Sequence, residues 1–181
     1  MGATVVVLQA DVSDRDQMSQ TFEQVKATQL PLRGVIHAAG VAGYQTLQDM
    51  ELSAFSSVFR PKVTGTWLLH QFTRDMNLDF FVCFSSASSV WGARGQGHYA
   101  AANHFLDALA YYRHSLGLPA LSINWGLFPG ASMVGKEYHE WLEKIGLGEM
   151  QPEQGFSAMG HLLATGAIQA TVAKVDWSIF K

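Results

Sequence analysis

The chain has 181 residues, 48% of them hydrophobic, and a formal net charge of -3. That length suits one domain with a proper core, and a mildly acidic chain without a basic run excludes a nucleic-acid surface. No stretch approaches the ~20 apolar residues of a membrane span, and the single cysteine, Cys83, excludes an internal disulfide and fits a cytoplasmic setting.

The N-terminal MGATVVVLQAD lacks a basic leader region and reads as a strand. Within it, Thr4–Gln9 is a short β-branched run that predicts a buried strand, with Asp11 and Val12 at its end. Ser13, with Asp16 three residues on, predicts a helix start, and Met18, Phe22 and Val25 then share one face. Pro31 breaks the chain before a second strand, Arg33–His37, which runs out at Ala38, Ala39 and Gly40. A loop through Gly43 and Tyr44 leads to a helix near Ser53, with Phe55, Val58 and Phe59 pointing inward. Pro61 predicts a kink, after which Val63, Trp67 and Phe72 resume the apolar pattern. A third strand, Phe80–Ser85, ends at Ser86 and passes into a Gly-rich loop. The next helix runs from Tyr99 to about Leu116, with Phe105, Leu109, Tyr112 and Leu116 on its core face and Gly117 and Pro119 as stops. Ala120–Trp125 reads as a fourth strand, ending at Gly126. The stretch from Leu127 to Gly148 carries Tyr138 and Trp141 but no clean period. A last helix, Pro152–Ala164, and a final strand, Ala170–Val175, complete the chain.

Alternating strands and helices with continuous apolar strands imply an α/β domain over 1–181: a Rossmann-like parallel sheet with helices on both faces. The carboxyl ends of such strands open on one edge, where ligands bind, so Asp11, Gly40, Ser86 and Gly126 are expected to line one crevice.

Ser86 at a strand end, with Tyr99 thirteen residues later on a helix, is the pair that carbonyl reduction needs. One hydroxyl holds the carbonyl oxygen and the other gives it a proton. Tyr99 and Asn103 are four apart and share a helix face. Each residue alone has a plainer reading: a half-buried core tyrosine, a turn-capping serine, a polar outer face for Asn103 and a surface charge for Lys62. The seven histidines show no zinc spacing, and His98 and His104 fall on different faces, so no metal site is expected. His37 reads as a strand-end packing residue.

GVIHAAGV (Gly34–Val41), RPKVTGTW (Arg60–Trp67), FVCFSSASSVWGARGQGHYAAANHFLDALA (Phe81–Ala110), LPALSINWG (Leu118–Gly126) and VDW (Val175–Trp177) cover almost the whole chain. They resemble the catalytic ketoreductase domain of modular polyketide synthases, a branch of the short-chain dehydrogenase/reductases. The resemblance implies a catalytic tetrad of Lys62, Ser86, Tyr99 and Asn103, with Tyr99 the general acid and Ser86 the carbonyl-orienting hydroxyl. Lys62 is then expected to hold the nicotinamide ribose and lower the Tyr99 pKa, and Asn103 to carry a water that resupplies the proton. The implied cofactor is NADPH, met by Asp11, Val12, Ala38, Ala39, Gly40, Lys62, Tyr99, Gly126 and Leu127. The Asp11–Asp14 stretch reads equally as a plain helix start. Leu127-Phe128 stands where the family more usually has Pro-Trp.

The implied substrate is a β-ketoacyl chain carried by phosphopantetheine on an acyl carrier protein, beside the other domains of a polyketide synthase. Trp91, Gln96, Met133 and Trp141 are expected to touch it, under a lid formed by 127–148. Trp91 matches the A-type members, and the Leu-Asp-Asp signature of B-type members is replaced by Val41-Ala42-Gly43. Gln96 stands in place of the A2-subgroup histidine, which points to an unepimerised α-carbon. Measured against the family, the first two strands and the first helix, with the Gly-rich phosphate turn, are missing from this sequence. Thr4–Gln9 is then expected to lack its neighbours and expose apolar edges. The alternatives are a truncated, non-catalytic half-domain with a structural or partner-dependent role, and a free-standing reductase of small ketones.

Overall fold

The computed structural model describes residues 2–130 and 136–180. The first helix, α1 (Arg15–Ala27), is capped by Asp14, whose carboxylate accepts from the amides of Asp16 and Gln17. The cap is thus one residue later than the sequence predicts. Ser13 is drawn back instead, its amide and hydroxyl both bonded to Asp11 Oδ1 at 2.8 and 2.7 Å. Met18 and Phe22 bury the apolar face of α1.

The strand expected at Thr4–Gln9 does not form, and Val5, Val6 and Val7 lie exposed. Branched side chains favour a strand only where a neighbouring strand and a buried face receive them. In the four-stranded sheet the order is β1 (Gly34–His37), β2 (Phe80–Ser86), β3 (Leu121–Trp125) and β5 (Gln169–Val172), all parallel. The expected edge exposure is therefore met at the N-terminal segment. The predicted final strand divides: β5 joins the sheet, and β6 (Lys174–Val175) pairs antiparallel with β4 (Leu147–Gly148).

The helical stretch predicted to kink at Pro61 stays continuous by widening. It passes from α2 (Leu52–Phe59) through one π-helical stretch, Arg60–Thr64, into α3 (Gly65–Thr73). Proline removes an amide donor and crowds the preceding turn, and a local π-bulge absorbs both defects. Val58 is buried there, while Trp67, expected inward, is 39% exposed. Short α4 (Ser88–Trp91) precedes α5 (Gly97–Ser115), whose buried face is Ala102, Leu106, Leu109, Ala110 and the polar His98, Asn103, Asp107 and Arg113. Tyr112 and Leu116, expected on that face, are exposed. Reading apolar residues alone rotates the helix, because four polar side chains, His98, Asn103, Asp107 and Arg113, occupy its buried stripe. Helix α6 (Lys136–Lys144) and α7 (Pro152–Thr165) follow, the latter opened by Gln151 and Gln154 in a reciprocal capping box.

The core lies on both faces of the sheet. Phe81 and Cys83 of β2 pack with Leu68, Leu69 and Leu106 on one side, and Val82 packs with Leu121, Ile123, Trp125 and Met150 in a second cluster. The alternation along β2 separates the two, as period-two side chains require.

Candidate active site

The carboxyl ends of β2 and β3 open into a cavity of about 640 Å³. Its lining includes Lys62, Ser86, Trp91, Gln96, Tyr99 and Gly126. Each arrives from a different element. Ser86 ends β2, where its Oγ accepts from the Ser88 amide and hydroxyl at 3.2 and 3.0 Å, which turns the chain into α4. Tyr99 sits in the first turn of α5. Lys62 leaves the π-helical stretch and runs past Gly40 to donate to the Phe84 carbonyl at 2.7 Å. A Cβ on Gly40 would stand 2.5 Å from Lys62 Cε, so glycine is what lets the lysine through. His37 holds the same turn from below, with Nε2 3.1 Å from the Pro61 carbonyl.

Electrostatics follow from burial. Lys62 is 5% exposed, and loss of hydration brings its pKa down to about 8. His37 is pushed down to about 4, first by burial and then by the Lys62 charge. Burial raises the Tyr99 phenol above its ordinary value, while hydrogen bonding from the Ser86 and Asn103 side chains acts the other way. The sequence reading expects Tyr99 below its ordinary value; here the lysine ammonium is directed at a backbone carbonyl instead.

Asn103 is fully buried and lies behind the wall formed by Tyr99. Its Nδ2 donates to the Tyr99 carbonyl at 2.8 Å, and its Oδ1 is buried without a hydrogen-bond partner. Of the other expected residues, Ala38, Leu127 and Trp141 line the cavity. Ala39 is exposed nearby in sequence, and Gly40 abuts Lys62. Asp11 and Val12 stand away from the lining. Asp11 forms the turn into α1 and lies 3.7 Å from Arg60, and Val12 packs against the first core cluster. The hydrogen bonds from Ser13 hold the Asp11 carboxyl below its usual range. Of the four strand-end residues expected in one crevice, then, Ser86 and Gly126 line it. Met133 lies outside the described residues. Among the described residues no cluster of metal-ligating side chains occurs.

Phe128, Leu142 and Ile145 of the expected 127–148 lid also line the cavity, and sequence reasoning missed Phe180. Phe180 reaches it from the end of the chain and packs on Trp91, ring centroids 5.0 Å apart. The aromatic three residues after Trp177 was the one available signal.

A family model described as the KR domain matches residues 1–130, well over half of the chain. This chain belongs to the KR-domain family. Polyketide synthase GfsE of Streptomyces halstedii is 40% identical over 99% of this chain, which spans 5% of that synthase. Among solved structures, an A-type ketoreductase from a modular polyketide synthase superposes with a TM-score of 0.90 at 36% identity, covering 96% of this chain and 37% of that one. A C2-type ketoreductase from a modular polyketide synthase does so at 0.91 and 31%, covering 99% and 39%. Ketoreductases described as two different types thus both superpose on this KR domain.

Proposed function

We propose that the cavity reduces the ketone of a β-ketoacyl thioester, carried on an acyl carrier protein within a polyketide synthase, to the β-hydroxyacyl form. The observation that carries this reading is the meeting of Lys62, Ser86 and Tyr99, from three separate elements, on one cavity wall. The residues also fit a nicotinamide cofactor. The Lys62 ammonium has N–H donors beyond the one given to Phe84, Gly40 clears its path, and Ala38 adds only a methyl group to the wall. Lys62, Tyr99, Gly126 and Leu127 would hold the nicotinamide end, Ala38 to Gly40 would let the nucleotide approach the backbone, and Asp11 and Val12 would meet the adenine end. Bound NADPH supplies the hydride.

The protein's own groups do the rest. Ser86 Oγ donates to the carbonyl oxygen, a bond that strengthens as negative charge gathers there. Tyr99 keeps its proton at neutral pH because burial disfavours the phenolate, and gives it to the nascent alkoxide. Lys62, once turned from Phe84 toward Tyr99, favours the phenolate that remains. Asn103 Oδ1 is the free acceptor for a water that returns the proton. Trp91, Gln96, Met133 and Trp141, with 127–148 as lid, would receive the acyl chain. Trp91 and Gln96 favour the A-type hydroxyl configuration with the α-carbon unepimerised. The test is NADPH consumption with a β-ketoacyl thioester. Tyr99→Phe is expected to lower turnover by about 10²–10⁴-fold while NADPH binding persists; unchanged turnover overturns the reading.

A further inference from the structure

Behind the cavity wall lies a buried polar cluster that this chemistry does not use. Asp107, on α5 two turns beyond Tyr99, is 1% exposed. Its Oδ1 accepts from Ser122 Oγ at 2.6 Å and from Asn124 Nδ2 at 2.9 Å. Its Oδ2 lies 2.8 Å from both Ser89 Oγ and Asn124 Nδ2. Asn124, fully buried on β3, is itself held by Gln169, whose Nε2 donates to Asn124 Oδ1 at 3.0 Å.

Two short paths run from this carboxylate to the backbone carbonyls of Ser86 and Tyr99. On one, Ser89 Oγ stands 2.8 Å from the Ser86 carbonyl as well as from Asp107 Oδ2, so its single proton is shared between the two acceptors. On the other, Asn124 Nδ2 donates to Ser85 Oγ at 3.0 Å, and Ser85 Oγ donates to the Asn103 carbonyl at 3.2 Å. Asn103 then donates to the Tyr99 carbonyl. A buried, satisfied charge is on average no more stabilising than apolar side chains of equal volume. Stability alone therefore does not account for it, and the cluster reaches the backbone of Ser86 and Tyr99.

We propose that Asp107 is a positioning residue, which through Ser89 and through Asn124 and Ser85 fixes the strand end carrying Ser86 against the helix turn carrying Tyr99. The inference deepens the proposed reduction and rests on that reading. The charge has a second effect. Lys62 faces His37 from β1, whose pKa its charge lowers, and Cys83 from β2 and Asp107 from α5 act on Lys62 itself against burial. His37 is neutral above about 4, and the Cys83 thiol is pushed up to about 12, so neither is ionised where the lysine titrates. Asp107 is then the anion that favours the ammonium.

The experiment is Asp107→Asn, which keeps the shape and removes the charge, in the full chain. Wild-type turnover of a β-ketoacyl thioester is measured first; its absence counts against the proposed reaction only. Lys62 is titrated by NMR of side-chain-labelled lysine, assigned with Lys62→Arg, and this readout needs no turnover. The Lys62 midpoint is expected to move to lower pH. Where the wild type turns over, kcat is expected to fall about 10- to 100-fold, the scale of a misplaced catalytic group, with the NADPH KM little changed. An unmoved lysine midpoint, or a wild-type kcat, overturns the inference. If Asp107→Asn does not fold, Ser89→Ala carries the test: it should lower kcat, and Ser89→Thr, which keeps a hydroxyl, should restore it. Equal kcat in all three proteins overturns the inference as well.

Discussion

Lys62 brings a cation to a place where burial works against it. Its pKa falls from 10.5 to about 8, so the folded chain binds the proton less tightly than the unfolded chain does. Stability therefore rises with pH between about 8 and 10.5 and is lowest below that window. Lys62→Met is expected to stabilise the domain at pH 7 by about 1–2 kcal/mol, an advantage that shrinks toward pH 10, while lowering ketone reduction. Urea unfolding at the two pH values checks the sign, and a destabilised variant at pH 7 would contradict it. Ser86 and Tyr99 were legible because strand end and helix start are local signals, whereas Lys62 came only through the family resemblance. Asp107 was not. An acidic residue between Leu106 and Ala108 reads as a solvent-facing position until partners from β3 and α4 are placed around it.

The π-helical stretch decides which way Lys62 points. Pro61 forces a break in regular hydrogen bonding, and His37 receives the turn through the Pro61 carbonyl. The break was legible; its form was not, since kink and π-bulge both answer a proline and only the packing against β1 selects one. The loop after β1 is fitted to α5 in the same way. A Cβ at Gly43 would lie 2.2 Å from His98 Nε2 and 2.9 Å from Val58, both buried. Gly43→Ala is expected to destabilise by about 1–3 kcal/mol, the scale of overpacking. Adding His98→Ala should recover much of that loss, because the two positions share one space. Additive penalties in a double-mutant cycle would show that the clash is relieved elsewhere. The face of α5 was misjudged for a related reason: Asn103, Asp107 and Arg113 take buried places that an apolar periodicity assigns to Tyr112 and Leu116.

At the scale of the molecule, the parallel sheet divides the core into two clusters that meet through β2. Ile123, fully buried in the second cluster, is expected to cost about 2–5 kcal/mol as Ile123→Ala. One transition by both fluorescence and circular dichroism would show that the clusters unfold together; two transitions would show that they do not. Acid acts on the whole fold through His37. Its pKa is held at about 4 against 6.5 in the unfolded chain. Folding is then weakened progressively as pH falls from about 6.5 to 4, by up to about 3 kcal/mol. His37→Gln should flatten that part of the stability curve, and an unchanged slope would remove His37 as its cause.

The alternation of strands and helices was legible in the sequence itself, because each element carries its own periodicity, and the parallel sheet was inferred from that alternation. Thr4–Gln9 marks where that authority stops. Its residues favour a strand, and it is not one, because a strand is a relation between two segments and no propensity supplies the second. The tertiary structure alone decided the course of Lys62 past Gly40, the closure of the cavity by Phe180 and the burial of Asp107. Each of those depends on what distant stretches of chain place alongside it.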